Sequence, residues 1–187
     1  GFLSRSPVPF LQFRFEAKLK RVLNETQANL LLAKAKQYNH EWYPHWTMAL
    51  YTGLRSEELY ARRWINLDLE NRLIFVREVW TKKGGFKAIT KNGHDRAVEI
   101  AQPLMTVLRE LRLKSQDSPF VLPRIDEWTA GRQAEVLRLF LMGLNIPPVS
   151  FHALRASWAT LMLSKGVEPV KVMKMGGWNS LKTLEKH

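Results

Sequence analysis

Between residues 64 and 100 the sequence changes period, and that change limits the fold class more than any other feature. Ile65, Leu67 and Leu69 alternate with polar residues, Glu70-Asn71-Arg72 has the composition of a turn, and residues 73–79 are strand-like. Ala97, Val98 and Ile100 suggest a further strand, reached through a connection, 81–93, rich in Lys and Gly. Short strands joined by turns make a small antiparallel sheet. Such a sheet needs helices packed against it to be stable.

Helical patterns flank it on both sides. Asn24 or Thr26 can cap a helix running to Gln37, with Leu30, Leu31 and Ala35 inside it. A second helix covers 46–51, Gly53 breaks it, and a third begins near Ser56. After Pro103, Leu104, Val107, Leu108 and Leu111 fall on one helical face. Residues 120–122 form a short apolar segment, and 127–144 read as one helix with Val136, Leu139 and Phe140 as its stripe. Ser150 can cap a helix that follows Pro147-Pro148, and Gly166, Pro169 and Gly176-Gly177 punctuate the last short helices. The fold class is therefore mainly α with a small antiparallel β-sheet (α+β).

The 187 residues suffice for one domain with a sizeable core. Residues 1–15 carry Pro7 and Pro9 and read as an arm or interdomain linker remnant, leaving 16–187 as the folded domain. The chain starts at Gly1 and stops in a charged, helix-like segment, so a C-terminally truncated piece of something longer is expected. Lys and Arg outnumber Asp and Glu by 29 to 17, a net charge of +12, which favours a polyanionic partner. A merely basic surface would give the same count. The basic residues are spread along the whole chain, which argues against a membrane-surface helix. The absence of cysteine excludes disulfides, thiol chemistry and cysteine-ligated zinc, and fits a reducing interior.

Two blocks carry chemistry. Thr-Gly-Leu-Arg-Ser-Glu-Glu-Leu occupies 52–59, and His-Ala-Leu-Arg occupies 152–155. Arg55 at a helix entrance can donate two parallel bonds to phosphate oxygens, and Glu58 one turn on can buttress it. A plain Arg–Glu surface pair at i,i+3 is the alternative. His152 and Arg155 share one helical face, where imidazole can move a proton and Arg155 can grip the same phosphate. A histidine satisfied by a backbone carbonyl is the alternative there. Lys91 precedes the last strand and can reach a groove, while Lys82, Lys83 and Lys87 compete for that role or contact backbone phosphates. Solvated loop lysines are the plain reading of most of these four. Trp178 after Gly176-Gly177 offers an indole N–H to a phosphate oxygen, or simply packs.

In this order, the motifs resemble the catalytic domain of tyrosine recombinases, the phage and mobile-element integrases. The resemblance covers the chain from about Asn24 to its end. It places the family's two arginines at Arg55 and Arg155, its acidic residue at Glu58, its hairpin lysine at Lys91, its histidine at His152 and its later histidine-or-tryptophan at Trp178. It implies DNA cleavage through a 3′-phosphotyrosyl intermediate without metal or other cofactor, in site-specific integration or excision. It further implies double-stranded DNA as partner, tetramers of the full-length protein on DNA, no membrane and no small-molecule substrate, and a cytoplasmic, nucleoid-associated location. The nucleophilic tyrosine would fall at position 187, which is His187, while Tyr38, Tyr43, Tyr51 and Tyr60 all lie in the first third. An inactive piece, with the tyrosine substituted or beyond the end, is thus expected. A non-catalytic DNA-binding module and a type IB topoisomerase-like enzyme are the alternatives.

Overall fold

A computed structural model describes residues 21–88, 95–115 and 117–185, so Lys91, His187 and residues 1–20 lie outside the described part. Among the described residues the chain is mostly helical, with two small antiparallel sheets between helical stretches.

Helix α1 (Glu25–Gln37) begins at a reciprocal cap. The Asn24 side chain accepts from the Gln27 backbone at 2.9 Å, and the Gln27 side chain accepts from the Asn24 backbone at 3.1 Å. Asn24 rather than Thr26 is the cap. Ala28, Leu31 and Ala35 turn inward, whereas Leu30 faces out. Helix α2 (Tyr43–Thr52) starts earlier than the sequence suggested, because Pro44 sits in its first turn, where a missing N–H costs nothing. It is buried on nearly every side and forms the central rod of the fold. It ends at Gly53, whose φ of 63° closes the helix in the left-handed region. Helix α3 (Ser56–Tyr60) follows at once.

The strands are β1 (Leu67–Asp68), β2 (Leu73–Val76), β3 (Glu78–Thr81), β4 (Gly85–Ala88) and β5 (Arg96–Glu99). They form not one sheet but two: β1-β2-β5, and the hairpin β3-β4. Register sets Leu73 opposite Glu99 and Val76 opposite Arg96. The expected strand over 73–79 is interrupted at Arg77, and the expected Lys/Gly connection contains β4. A buried cation accounts for the interruption. Arg62 is fully buried, and its guanidinium donates to the carbonyls of Glu58, Phe75 and Glu78. The carbonyls of Phe75 and Glu78, which bracket Arg77, are thus satisfied by a buried side chain. Burial pushes the Arg62 pKa down to about 10, with Glu58 and Glu78 opposing it.

Helix α4 (Gln102–Lys114) buries Leu104, Val107 and Leu108, as its spacing predicts. The single helix expected over 127–144 is instead α5 (Asp126–Thr129) and α6 (Gln133–Gly143), divided at Gly131 with φ 80°. The stripe of α6 is Leu137 and Leu141, and Leu139 is 55% exposed. The chain's last helices are α7 (Phe151–Ser164), capped by Ser150, then α8 (Pro169–Gly176) and α9 (Leu181–Glu185).

The main core gathers aromatic rings from distant segments. Trp42 and Tyr60 each stack on Trp128, with centroids 5.4 and 5.0 Å apart. A second, smaller core of Trp158, Ala159, Val172, Trp178 and Leu184 lies where α7, α8 and α9 meet. No helix among the described residues is long and apolar enough to cross a membrane.

Candidate active site

The end of α2 and the middle of α7 meet at Gly53. The ring of Trp158 fills the space where a side chain would stand, so a Cβ on Gly53 would lie 2.1 Å from a Trp158 ring carbon. This close approach brings the Gly53 carbonyl to Arg155, whose Nη1 donates to it at 2.8 Å. Arg155 is 3% exposed, and its guanidinium carbon lies 3.9 Å from the centroid of the Trp178 ring. Trp178 in turn stacks on Trp158 at 6.2 Å, with planes 8° apart. Cation and rings form one layered pile. A desolvated contact of this kind is worth about 2 kcal/mol. Gly176 makes room for it, since a Cβ there would sit 1.9 Å from the Trp178 ring.

Arg55 approaches from α3. Its backbone N–H and its Nη1 both donate to Glu58, at 2.8 and 2.9 Å, and its Nη2 donates to the Gly177 carbonyl at 2.6 Å. The side chain remains 43% exposed. Two of its five guanidinium N–H groups are therefore committed among the described residues.

Glu58 is buried and accepts from a second arginine. Arg96 Nη1 and Nη2 donate to its two oxygens at 3.0 and 2.6 Å, while Arg96 Nε donates to the Met175 carbonyl at 2.8 Å. Burial pushes the Glu58 carboxyl up, but hydrogen bonds and charge from Arg96 and then Arg55 outweigh it and hold the pKa below the ordinary value. Two guanidiniums thus bond one carboxylate, and Arg155 lies near enough to feel its charge, leaving an excess of positive charge. Burial, followed by the charge of Arg55, pushes Arg155 down to about 9, with Glu58 opposing. Arg155 is still a cation at neutral pH. An anion placed beside it would lower the cost of holding that charge.

The structure therefore brings together Arg55, Glu58, Arg155 and Trp178. His152 sits one turn before Arg155 on α7, exposed, beside a shallow pocket shared with Arg21 and Ser150. Lys82 and Lys83 are exposed in the β3-β4 turn, and Lys87 is exposed on β4. Arg96 was missed by the motif reading. A signal for it exists: positions 96, 98 and 100 share one face of a strand, and Val98 and Ile100 are core residues. A charge at an inward-facing position needs a buried partner of opposite sign. Among the described residues, no group of three or more His, Asp or Glu could hold a metal ion.

The phage integrase family profile matches residues 21–187. The tyrosine recombinase XerA of Saccharolobus solfataricus is 29% identical over 183 residues, covering 97% of this chain and 55% of that protein. XerA of Pyrococcus furiosus is 33% identical over 142 residues, covering 72% of this chain and 45% of that protein. The chain thus spans about half the length of these relatives. Among solved structures, the Tn1549 transposon integrase in complex with transposon right end DNA superposes with a TM-score of 0.75 at 17% identity, over 88% of this chain and 60% of that one. A crystal structure of XerA recombinase gives 0.71 at 21% identity, over 99% and 61%. These structural likenesses are likenesses of fold.

Proposed function

The chain belongs to the phage integrase family, and we propose that it is the phosphate-gripping catalytic domain of a tyrosine recombinase that acts on duplex DNA in site-specific strand exchange. The observation that carries this reading is the nearness of Arg55 and Arg155, whose charges act on each other: Arg55 is held on the Gly177 carbonyl and Arg155 on the Gly53 carbonyl, beside the buried Glu58 carboxylate.

In this reading one DNA phosphate docks against both guanidiniums. Negative charge grows on the non-bridging oxygens as the phosphorane forms, and fixed cations in a water-poor pocket stabilise that charge more than they stabilise the ground state. Arg155, held between Trp178 and the Gly53 carbonyl, supplies a guanidinium that needs no reorganisation. Arg55, half exposed, meets the phosphate first. Lys91 protonates the leaving 5′-oxygen, and His152 orients the phosphate or assists proton transfer. Lys82, Lys83 and Lys87 contact neighbouring phosphates along the backbone.

The attacking hydroxyl of the family would come from the position held here by His187. Tyr60, just past the Arg55 block, is unsuited to the task. It is 4% exposed, stacked on Trp128 and covered by the Arg124 guanidinium. The described residues thus supply phosphate capture, and the nucleophile belongs to position 187 or beyond it. Assembly into a tetramer on two DNA sites, and a place in the nucleoid, belong to the full-length protein in this account.

Fluorescence anisotropy with a labelled duplex across a salt series tests the reading. Log affinity should fall linearly and steeply with log salt as condensed counterions are released. Salt-independent binding, or no binding, would contradict it.

A further inference from the structure

Arg96 touches every part that holds Arg55 in place. It is the first residue of β5, and its side chain is 10% exposed. Two parallel bonds tie it to Glu58, the carboxylate that receives both the backbone N–H and Nη1 of Arg55. Its Nε holds the Met175 carbonyl near the end of α8. Gly177 lies directly against its guanidinium: a Cβ there would come within 2.8 Å of Arg96 Cζ. The Gly177 carbonyl is the other anchor of Arg55, through Nη2.

We infer that Arg96 is a positioning residue for phosphate capture, a buried bracket that fixes Glu58 and the Gly177 turn and through them aims Arg55. The inference rests on the reading that Arg55 meets a DNA phosphate. Arg96 itself has its three nitrogens committed inside the protein and contributes no phosphate contact. Its planar fork is what the geometry uses. A lysine keeps the charge but cannot bond both Glu58 oxygens and the Met175 carbonyl from fixed directions. Without the bracket, Glu58 has no second cation to fix it and carries its full charge to Arg55, and the Gly177 carbonyl loses its backing.

The test compares the unsubstituted chain, Arg55→Gln, Arg96→Lys and the double variant, each binding a labelled duplex over a salt series, after thermal melts confirm folding. Removing one phosphate contact lowers the slope of log affinity against log salt by about 0.9. Arg96→Lys should lose that amount although its charge is kept, Arg55→Gln should lose the same, and the double variant should lose no more than either. An Arg96→Lys slope equal to that of the unsubstituted chain, or additive losses in the double variant, would overturn the inference. A flat slope in the unsubstituted chain would overturn the underlying reading and this inference with it. Should Arg96→Lys fail to fold, the Nε–Hε NMR signal of Arg96 decides. On adding duplex it should shift in the unsubstituted chain and stay fixed in Arg55→Gln; a signal that stays fixed in both, or shifts in both, refutes the coupling.

Discussion

The guanidinium of Arg155 lies over the ring of Trp178 at 3.9 Å, and that ring lies on Trp158. The contact turns an aromatic core into the floor of a cationic pocket. Trp178→Ala should therefore do two things at once. Stability should fall by about 3–5 kcal/mol, the usual cost of emptying a large aromatic site. DNA affinity should fall as well, because Arg155 loses the surface that orients it. Trp178→Phe keeps a ring beneath the guanidinium and should retain more of both. Chemical denaturation and anisotropy measured on the same samples check this pair of effects.

Gly53 has two reasons to lack a side chain. Its φ of 63° is unfavourable for other residues, and the Trp158 ring occupies the space of a Cβ. Left-handed strain of about 1–2 kcal/mol adds to an overpacking cost of about 1–3 kcal/mol. Gly53→Ala should lower the stability measured by urea denaturation by about 2–5 kcal/mol, the sum of those two ranges. It should also weaken DNA binding, since the carbonyl that fixes Arg155 belongs to the same residue. A neutral substitution would contradict the close contact of Gly53 with Trp158 at the α2–α7 junction.

Acid should release Glu58 from its network. Its carboxyl titrates below its ordinary value of 4.5 in the folded chain, because Arg96 and Arg55 outweigh the effect of burial. A carboxylate with a depressed folded pKa stabilises the fold fully above its unfolded pKa. That contribution fades as pH falls through the lower folded value. The stability gap between the unsubstituted chain and Glu58→Gln should be open at pH 7 and should narrow progressively below about pH 4.5. Urea midpoints measured across this range give the answer, and a gap that does not change with pH would show that Glu58 is not held ionised by the two arginines.

A nicked suicide duplex, which traps covalent intermediates, should yield no protein–DNA adduct at Tyr60. All its tyrosines lie before residue 61, and Tyr60 is enclosed by rings. An adduct mapping to Tyr60 by mass spectrometry would contradict its exclusion as the nucleophile.

Local signals in the sequence were enough to give most of the helices and most of the pocket. The helix stops at Gly53, Ser150 caps α7, and the arginines stand at helix starts or on a helical face. Interactions between distant segments were harder to see. Arg62 breaks the strand at Arg77 by capturing two carbonyls, and no periodicity in 73–79 carries that information. Gly131 divides the helix expected over 127–144, and the stripe of α6 shifts so that Leu137 and Leu141 turn inward while Leu139 does not. Arg96 escaped notice for a related reason. A strand-like run of mixed charge and apolar residues looks like a solvated edge until its inward face is counted as 96, 98 and 100.

The most direct measurement is a crystal structure of this chain bound to duplex DNA. One phosphate should lie within hydrogen-bonding distance of both the Arg55 and the Arg155 guanidinium, with Trp178 beneath the second. A complex in which the DNA backbone touches only the β3-β4 lysines, and no phosphate bridges the two arginines, would contradict the account.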